Sequence, residues 1–300
     1  MKATAPSIPA SPSIERTGFG VVVELTKARL TSLVLLTTLV GFYLGSHRAL
    51  DYAVLFHTLM ATALVAGGAA ALNQFLERDH DAKMPRTWGR PLPSGRVQPE
   101  TVLIFGASCA VVGLVYLAVA VNWLTSLLGA ITLGTYLFVY TPLKRVTPFN
   151  TLIGAIPGAL PPVMGWTASR GEGMLGGWTL FAILFLWQIP HFLAIAWIYK
   201  DDYRKAGFAM LPVFDETGRR TCRHVLVSCF GLLAASLCPF LLQVTGSAYL
   251  AGVVILNLAF IALAVRFCLK LNRSNARQLF FASIIFLPAL LTLLVLDKAR

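Results

Sequence analysis

Long apolar stretches, separated by short polar ones, fill almost the whole chain. Each stretch is close to the roughly 20 residues that a helix needs to cross the hydrocarbon core of a bilayer. The pattern predicts an all-α membrane protein with nine transmembrane helices, each placed to within about three residues. The nine stretches are residues 30–46, 53–76, 102–121, 123–141, 150–168, 175–199, 224–244, 248–269 and 279–296.

The fifth stretch contains many residues that interrupt helices. Proline removes a backbone N–H donor and clashes with the preceding turn. Inside a membrane, the polar groups freed in this way must face protein or a water-lined cavity. The segment either contacts a ligand directly or is a kinked helix packed through its small residues, and in both cases we expect it to line a central cavity. The residues concerned are Gly154, Pro157, Gly158, Pro161, Pro162 and Gly165.

The N-terminal segment differs from the rest of the chain. Residues 1–22 are rich in Ala, Pro and Ser and lack a long apolar run, which predicts a disordered tail. Their few charges do not form the basic region of a signal or transit peptide. We therefore expect a single transmembrane domain over residues 23–300.

Basic residues indicate how the chain is oriented. If the nine helices alternate in direction, all but four of the 25 Lys and Arg residues fall on the side of the N-terminus. Cytoplasmic loops carry such an excess. We therefore predict a cytoplasmic N-terminus, a periplasmic C-terminus and a place in a bacterial inner membrane.

Composition supports a membrane protein and argues against other classes. Apolar residues make up 57% of the chain, charged residues 13%, and the mean hydropathy is +0.72. Basic cytoplasmic loops account for the net charge of +12, and no basic run or RNA-binding aromatic signature indicates a nucleic-acid partner. The five cysteines never form a CxxC pair, so we interpret them as small apolar side chains.

The second apolar stretch leads into a polar segment, NQFLERDHDAKMPRTWGRPLPSGR at residues 73–96. Within it, Asn73, Glu77 and Asp81 are spaced four apart, so they project from one stripe if the helix continues through them. Oxygen side chains in this arrangement suit Mg²⁺, which proteins usually share between one or two carboxylates and substrate phosphates.

Three basic residues come shortly after this stripe in the sequence, Arg86, Arg90 and Arg96. Cations beside carboxylates make sense if an anionic phosphate lies between the two sets. The simpler interpretation is a charged loop that caps a membrane helix, but such a loop has no need for the four-residue spacing of Asn73, Glu77 and Asp81.

A second acidic pair, Asp201 and Asp202, lies at the cytoplasmic end of the sixth stretch. Two acidic patches can clamp a diphosphate through Mg²⁺.

His191 lies ten residues before Asp201, ~15 Å deeper along a helix. Polar groups at that depth are usually functional. The alternative is a histidine whose hydrogen bond only holds two neighbouring helices together. Lys144 and Arg145 either mark the cytoplasmic side or contact the diphosphate.

Together these segments resemble the intramembrane UbiA-type prenyltransferases. The first signature of that family is matched by N-x3-E-x3-D-x2-M-x-R-T at residues 73–87, which continues as RPLPSG at residues 90–95. The chain departs from the family pattern at Ala28, where proline is common, and this bears on how the first helix begins. Further matches are LTKARLTSL at residues 25–33, YTPLKRVTPFNTLIGAIPGALPPVMGW at 140–166 and WQIPHFLAIAWIYKDDYRKAGFAMLPV at 187–213.

Within that family, the chain is most similar to members whose acceptor is haem. The resemblance implies a helical bundle around a central cavity, with the active site capped by the two long cytoplasmic loops. It implies transfer of a farnesyl group from farnesyl diphosphate to the 2-vinyl group of haem b, with addition of water. The products would be diphosphate and haem O for haem–copper oxidase biogenesis. Mg²⁺ is the implied cofactor, and haem A synthase or an oxidase assembly protein is an implied partner.

The resemblance also implies roles for individual residues. His191 is a hypothesis for orienting haem or binding its iron, since imidazole is a common axial ligand. The implied Mg²⁺ and diphosphate ligands are Asn73, Glu77, Asp81 and Asp202, with Asp201 as a further metal ligand. The implied contacts with the diphosphate are Arg86, Arg90, Lys144, Arg145 and Lys200.

Three alternatives remain open at the level of sequence. The acidic residues handle only the diphosphate, so a quinone, another tetrapyrrole or an aromatic acid is also a candidate acceptor. Broken helices and buried polar residues also mark transporters, although here the acids cluster at one membrane face. A scaffold protein for oxidase assembly is the third, and the intact Asn73, Glu77 and Asp81 set argues against it.

Overall fold

The computed structural model describes residues 18–46, 49–170 and 174–299. Over these residues the chain is built from helices, and one isolated bridge between Thr245 and Lys298 is the only strand-like pairing that they contain. The predicted all-α fold is therefore confirmed. Residues 1–17, most of the predicted tail, lie outside the described residues.

The chain forms a first short helix, α1 (Gly18–Leu25), and then a series of helices of very different length. They are α2 (Ala28–Gly45), α3 (Tyr52–Asp81), α4 (Pro99–Ala120), α5 (Trp123–Gly134), a π-helical segment (Thr135–Tyr140), α6 (Thr141–Leu143), α7 (Asn150–Ala159), α8 (Pro161–Arg170), α9 (Met174–Ile198), α10 (Lys200–Lys205), α11 (Leu211–Phe214), α12 (Arg219–Leu241), α13 (Ser247–Leu269) and α14 (Arg273–Leu296).

Helix α1 corrects the boundary of the predicted tail. Residues 18–22 were expected to be disordered, but they belong to this helix. Val21 and Leu25 pack with Ala71 and Val102 in a small apolar cluster. The burial of these apolar side chains stabilises α1 against the rest of the bundle.

Eight helical spans within the described residues are long and apolar enough to cross a membrane. They are α2, α3, α4, the continuous run Trp123–Leu143, α9, α12, α13 and α14. The chain is therefore an integral membrane protein, and eight of the nine predicted spans are long apolar helical runs.

The remaining predicted span, residues 150–168, is broken into α7 and α8, which meet at Leu160. Pro161 and Pro162 begin α8, and since neither has an N–H donor, the hydrogen-bond ladder of α7 cannot continue through them. Small residues in α8 allow close packing: a Cβ atom at Gly165 would overlap the backbone of Thr38 in α2. Packing through small residues, one of the two sequence interpretations, thus describes α8.

The largest apolar core lies where α9 packs between α2, α12 and α14 and where α13 covers α12 and α14. Leu184, Leu232, Phe260 and Phe286 are among its buried side chains.

Two connections meet over one end of the bundle. Residues 82–98 join α3 to α4, and residues 199–218 join α9 to α12. Met84 from the first packs with Phe208 and Met210 from the second. The cap that the sequence predicted from its two long polar loops is therefore present.

Candidate active site

The predicted polar stripe lies in the last three turns of α3, which continues through Asp81. Asn73, Glu77 and Asp81 are 0%, 4% and 1% exposed. Their four-residue spacing places them on one face of the helix. Carboxylates buried this deeply need charged or hydrogen-bonding partners, because their desolvation is costly.

Each oxygen side chain of the stripe has a cationic partner. Lys27 Nζ donates to Asn73 Oδ1 at 3.0 Å, and Lys144 Nζ donates to Glu77 Oε1 at 2.8 Å. Arg90 Nη1 donates to Asp81 Oδ2 at 2.6 Å. Three cations from three separate segments therefore converge on one face of α3.

Local structure sets the position of each cation. Lys27 occupies the turn between α1 and α2 with a left-handed φ of 47°. Arg90 lies in the loop after α3, which is tied to that helix by the hydrogen bond from Thr87 Oγ1 to the Asp81 carbonyl at 2.7 Å. Lys144 follows α6 directly.

The π-helical segment Thr135–Tyr140 brings the fourth span against the stripe. Thr141 Oγ1 donates to the Tyr136 carbonyl at 2.8 Å and accepts from Asn73 Nδ2 at 3.1 Å. Lys144 Nζ lies 4.5 Å from the centroid of the Tyr140 ring. Single π-helical turns are frequent at functional sites because they redirect side chains within a helix.

These groups enclose a small cavity of about 110 Å³. The sequence predicted six of its lining residues as site residues, and none of residues 150–168 lines it. The predicted ones are Asn73, Glu77, Asp81, Arg86, Arg90 and Lys144, and the others are Lys27, Met84, Thr87, Tyr140, Tyr203, Phe208 and Met210.

Lys27 is the charged residue of the site that the sequence reasoning did not assign. Burial, together with the neighbouring cations of Arg90 and Lys144, lowers the pKa of Lys27 to about 7. An anion in the cavity favours the charged form of such a lysine. The only signal in the sequence is that this lysine lies within one of the four segments that resemble the family.

Arg86 reaches the cavity from the loop after α3. Its Nη2 donates to the Tyr203 hydroxyl at 3.2 Å. The guanidinium carbon lies 5.2 Å from the centroid of the Tyr199 ring and 5.7 Å from that of the Tyr203 ring. Two aromatic rings from the connection between α9 and α12 thus hold a guanidinium at the edge of the cavity.

The second acidic patch is placed differently. Asp201 is exposed and lies 3.4 Å from Arg204 Nη1, and neither Asp201 nor Asp202 lines the cavity. Lys200 Nζ donates to the Asp215 carbonyl at 3.5 Å, and Arg145 Nη2 donates to the Leu76 carbonyl at 3.2 Å. Arg145 thus contacts α3 beside Glu77, but none of these four predicted residues lines the cavity, and their roles stay predictions.

His191 lies on α9 and packs against α14. Its Nδ1 is 2.7 Å from Ser283 Oγ, and its ring centroid lies 5.1 Å from those of Trp187 and Phe280. It does not line the cavity at the α3 stripe. This is the arrangement expected of a packing histidine, and its role towards haem stays a prediction.

Comparison with known proteins adds to this geometry. The model of the UbiA prenyltransferase family matches residues 34–287. A protein named protoheme IX farnesyltransferase from Solibacter usitatus is 45% identical over 285 residues, which cover 92% of this chain and 98% of the relative. One of the same name from Myxococcus xanthus is 46% identical over 280 residues, covering 92% of this chain and 94% of the relative.

Solved structures show the same fold. A digeranylgeranylglyceryl phosphate synthase superposes with a TM-score of 0.80 at 17% identity, covering 93% of this chain and 98% of the other. A UbiA homologue from Archaeoglobus fulgidus bound to DMAPP and Mg²⁺ superposes with a TM-score of 0.65 at 16% identity, covering 91% and 98% of the two chains. The family match over most of the chain and the 45% and 46% identities show that this chain belongs to the UbiA prenyltransferase family.

Proposed function

We propose that this chain transfers a farnesyl group from farnesyl diphosphate to the 2-vinyl group of haem b, with addition of water, and releases haem O and diphosphate. The observation that carries the proposal is the buried α3 stripe, in which each oxygen side chain meets a cation within 3.0 Å. The relatives named for protoheme IX farnesylation supply the identity of donor and acceptor.

The lining of the cavity has the charge that a diphosphate needs. Lys27, Arg86, Arg90 and Lys144 face two carboxylates, so cations outnumber anions. Charged N–H donors bind phosphate oxygens strongly, and guanidinium groups do so in a bidentate manner. Loss of diphosphate from an allylic carbon is fastest where the developing negative charge meets positive groups already in position. These four residues therefore bind the diphosphate and stabilise it as it leaves.

The α3 stripe also fits Mg²⁺. Within the described residues no cluster of three His, Cys, Asp or Glu side chains that could enclose a metal ion is found. Mg²⁺ does not need one, since it is usually held by one or two carboxylates and completed by substrate phosphates and water. Asn73, Glu77 and Asp81 offer the amide and carboxylate oxygens for that mode. A bound Mg²⁺ would add positive charge that stabilises the leaving diphosphate.

Apolar side chains from the cap protect the reacting carbon. Met84, Phe208 and Met210 line the cavity and pack together. An allylic cation must be kept from bulk water until the vinyl group attacks it, and a covered site inside a membrane protein provides that exclusion. The Tyr140 ring also lines the cavity, and the negative face of an aromatic ring attracts a cation.

We also propose the setting of this reaction. One transmembrane domain, which begins with α1, carries the activity in a bacterial inner membrane. The cap and the α3 stripe face the cytoplasm, because the excess of Lys and Arg lies on that side in the sequence.

The test is an assay of the purified protein in detergent with haem b, farnesyl diphosphate and Mg²⁺. The haem products are separated by chromatography and identified by mass spectrometry. We expect farnesylhydroxyethyl haem from the native chain and from Asp79→Asn, but neither from Asp81→Asn nor without metal. Asp79 is a matched control because it lies on the same helical turn with its side chain 80% exposed.

Other outcomes identify the alternatives. If haem b is unchanged while a quinone precursor or an aromatic acid becomes prenylated, the choice of acceptor is wrong. If no acceptor is prenylated and farnesyl diphosphate crosses proteoliposome membranes unchanged, the chain is a transporter and the proposed reaction is wrong.

A further inference from the structure

A second and larger cavity lies beside the capped site. Its volume is about 390 Å³. Ile189 and Leu193 of α9 form its floor, and Phe149 and Leu152, at the beginning of α7, form one side. The first turns of α12 form the other side. Because α7 and α12 both pack on α9, the cavity is a groove between two helices of the bundle, and we call it the α7–α12 groove.

The α7–α12 groove is apolar at its floor and basic at its edge. Ile189 and Leu193 are buried, whereas Arg220 and Arg223 are exposed and His224 is half-buried. These three basic side chains line the groove from the first two turns of α12. The groove therefore offers apolar contacts next to two permanent positive charges.

The two arginines are available for an anionic ligand. Across the described part of the chain, no carboxylate lies within 4.0 Å of either guanidinium, and no acidic residue lines the groove. The nearest acid in sequence, Asp215, is occupied elsewhere. Its Oδ2 accepts from Thr221 N at 2.7 Å and from Thr221 Oγ1 at 2.9 Å.

The face of α12 that carries the arginines continues with apolar side chains. Arg220, Arg223, Val227 and Phe230 are spaced three, four and three residues apart, which places them along one stripe of the helix. Val227 and Phe230 are exposed, and α12 is long and apolar enough to cross a membrane. A molecule with an anionic head and apolar chains matches this stripe from end to end.

One short segment separates the groove from the capped site. Leu211 lines the groove, and Met210 lines the cavity at the α3 stripe. Hydrogen bonds fix this segment: Ala209 N donates to the Lys144 carbonyl, and Asn150 Nδ2 donates to the Ala209 carbonyl, both at 2.7 Å. A ligand that packs on Leu211 and on the beginning of α7 therefore restrains the segment that covers the α3 stripe.

We propose that the α7–α12 groove binds an anionic phospholipid from the leaflet at the capped end of the bundle, and that the bound lipid stabilises the cap. Arg220 and Arg223 bind the phosphate of the headgroup, since guanidinium groups bind phosphate oxygens strongly. One acyl chain lies against the α9 floor, and the other follows Val227 and Phe230. Basic pockets between transmembrane helices bind anionic headgroups in this manner. The proposal is independent of the reaction proposed above, because its readout is lipid binding.

The experiment counts bound lipids by native mass spectrometry of the purified protein in detergent. The protein is titrated with phosphatidylglycerol or with phosphatidylcholine that has the same acyl chains. The native chain is compared with Arg220→Gln/Arg223→Gln and with a control pair, Arg273→Gln/Arg277→Gln. The control removes two exposed arginines from the first turns of α14, so both variants lose the same charge.

We expect the native chain and the control pair to bind one phosphatidylglycerol about tenfold more tightly than phosphatidylcholine, since charged hydrogen bonds to the phosphate are accessible only to a lipid without a competing choline cation. The Arg220/Arg223 variant should lose this preference. Leu152→Trp, which fills the groove and leaves both arginines in place, should weaken the binding of both lipids. Native helix content by circular dichroism shows that each variant is folded.

The site is refuted if the Arg220/Arg223 variant keeps the native preference for phosphatidylglycerol. An equal loss in the control pair also refutes it, because overall charge then attracts the lipid. Native binding by folded Leu152→Trp means that the lipid lies on the protein surface and outside the groove. Displacement of phosphatidylglycerol by an equal concentration of glycerol 3-phosphate means that the groove holds a soluble anion and that the assignment to a lipid is wrong.

The effect on the cap is measured by amide hydrogen exchange of residues 206–213 in the same detergent. A ligand that binds only the closed form of a segment opposes its opening, so exchange should slow about tenfold at a phosphatidylglycerol concentration ten times the dissociation constant. The Arg220/Arg223 variant should show no such slowing. Unchanged exchange in the native chain with phosphatidylglycerol bound would refute the stabilisation of the cap.

Discussion

The two acidic patches, Glu77 with Asp81 and Asp201 with Asp202, look alike in sequence but differ in the structure. Glu77 and Asp81 are 4% and 1% exposed, and each forms an ion pair shorter than 3.0 Å. Asp201 is exposed and lies 3.4 Å from Arg204 of its own short helix. A carboxylate that is buried among cations from other segments is held in one place, whereas an exposed pair on one helix contributes little energy. Burial and long-range pairing, more than acidity, mark the first patch as the centre of the site.

The largest effect is expected from Glu77→Gln. This change keeps the shape of the side chain and removes its charge, so kcat should fall about 10²- to 10³-fold, the range found when one preorganised electrostatic group is lost. The measurement is farnesylhydroxyethyl haem formed per minute at saturating substrates. Asp79→Asn, two residues along the helix and exposed, should stay close to the native rate, and equal losses in the two variants would remove the distinction between buried and exposed acids.

Lys144→Met tests the pairing itself. It leaves the Glu77 carboxylate buried without its 2.8 Å partner, and breaking a buried ion pair in this way costs about 3–5 kcal/mol in free energy of unfolding. Unfolding of the protein in detergent, followed by circular dichroism, should shift to clearly lower denaturant. Lys144→Met/Glu77→Gln should recover most of the loss, because the unpaired charge is then gone. Additive losses in the double variant would mean that the two side chains do not interact.

Within the second patch the two acids can be compared directly. We expect Asp202→Asn to lower kcat/KM about tenfold if it binds the substrate's metal from outside the cavity lining. Asp201→Asn should stay within about twofold, because its contact with Arg204 is exposed. Initial rates at varied Mg²⁺ measure both. A loss for Asp202→Asn as large as that for Glu77→Gln would show that the patches act equally.

The smallest effect is expected at the edge of the first patch. Arg86→Lys keeps the charge but loses the planar group that lies against the Tyr199 and Tyr203 rings. We expect KM for farnesyl diphosphate to rise about threefold to tenfold with little change in kcat, since lysine cannot bind a phosphate in a bidentate manner. A fall in kcat at unchanged KM would instead place Arg86 at the reacting carbon.

The site was predictable from the sequence where one helix carries it. Asn73, Glu77 and Asp81 are four residues apart, and helical geometry alone places them together. The break at Leu160 was predictable because Pro161 and Pro162 prevent a continuous helix. Arg86 and Arg90 were close enough in sequence to be associated with the stripe.

The remaining parts depend on contacts between distant segments. Lys27 itself forms the left-handed turn between α1 and α2 from which its side chain contacts Asn73. The hydrophobic periodicity of the sequence does not predict that turn. Lys144 was equally consistent with a topology marker until its contact with Glu77 was known. The direction of Asp201 and Asp202 depends on where α9 ends and α10 begins, and a shift of one residue in that boundary rotates both side chains by about 100°.

The central claim is that the buried first patch binds the diphosphate together with Mg²⁺. Its most direct test is titration of the native chain, Asp81→Asn and Asp79→Asn with a non-hydrolysable farnesyl diphosphate analogue, with and without Mg²⁺, by calorimetry in detergent. We predict Mg²⁺-dependent binding for the native chain and Asp79→Asn, and loss of that dependence for Asp81→Asn. Binding that requires Mg²⁺ equally in all three proteins would contradict the account.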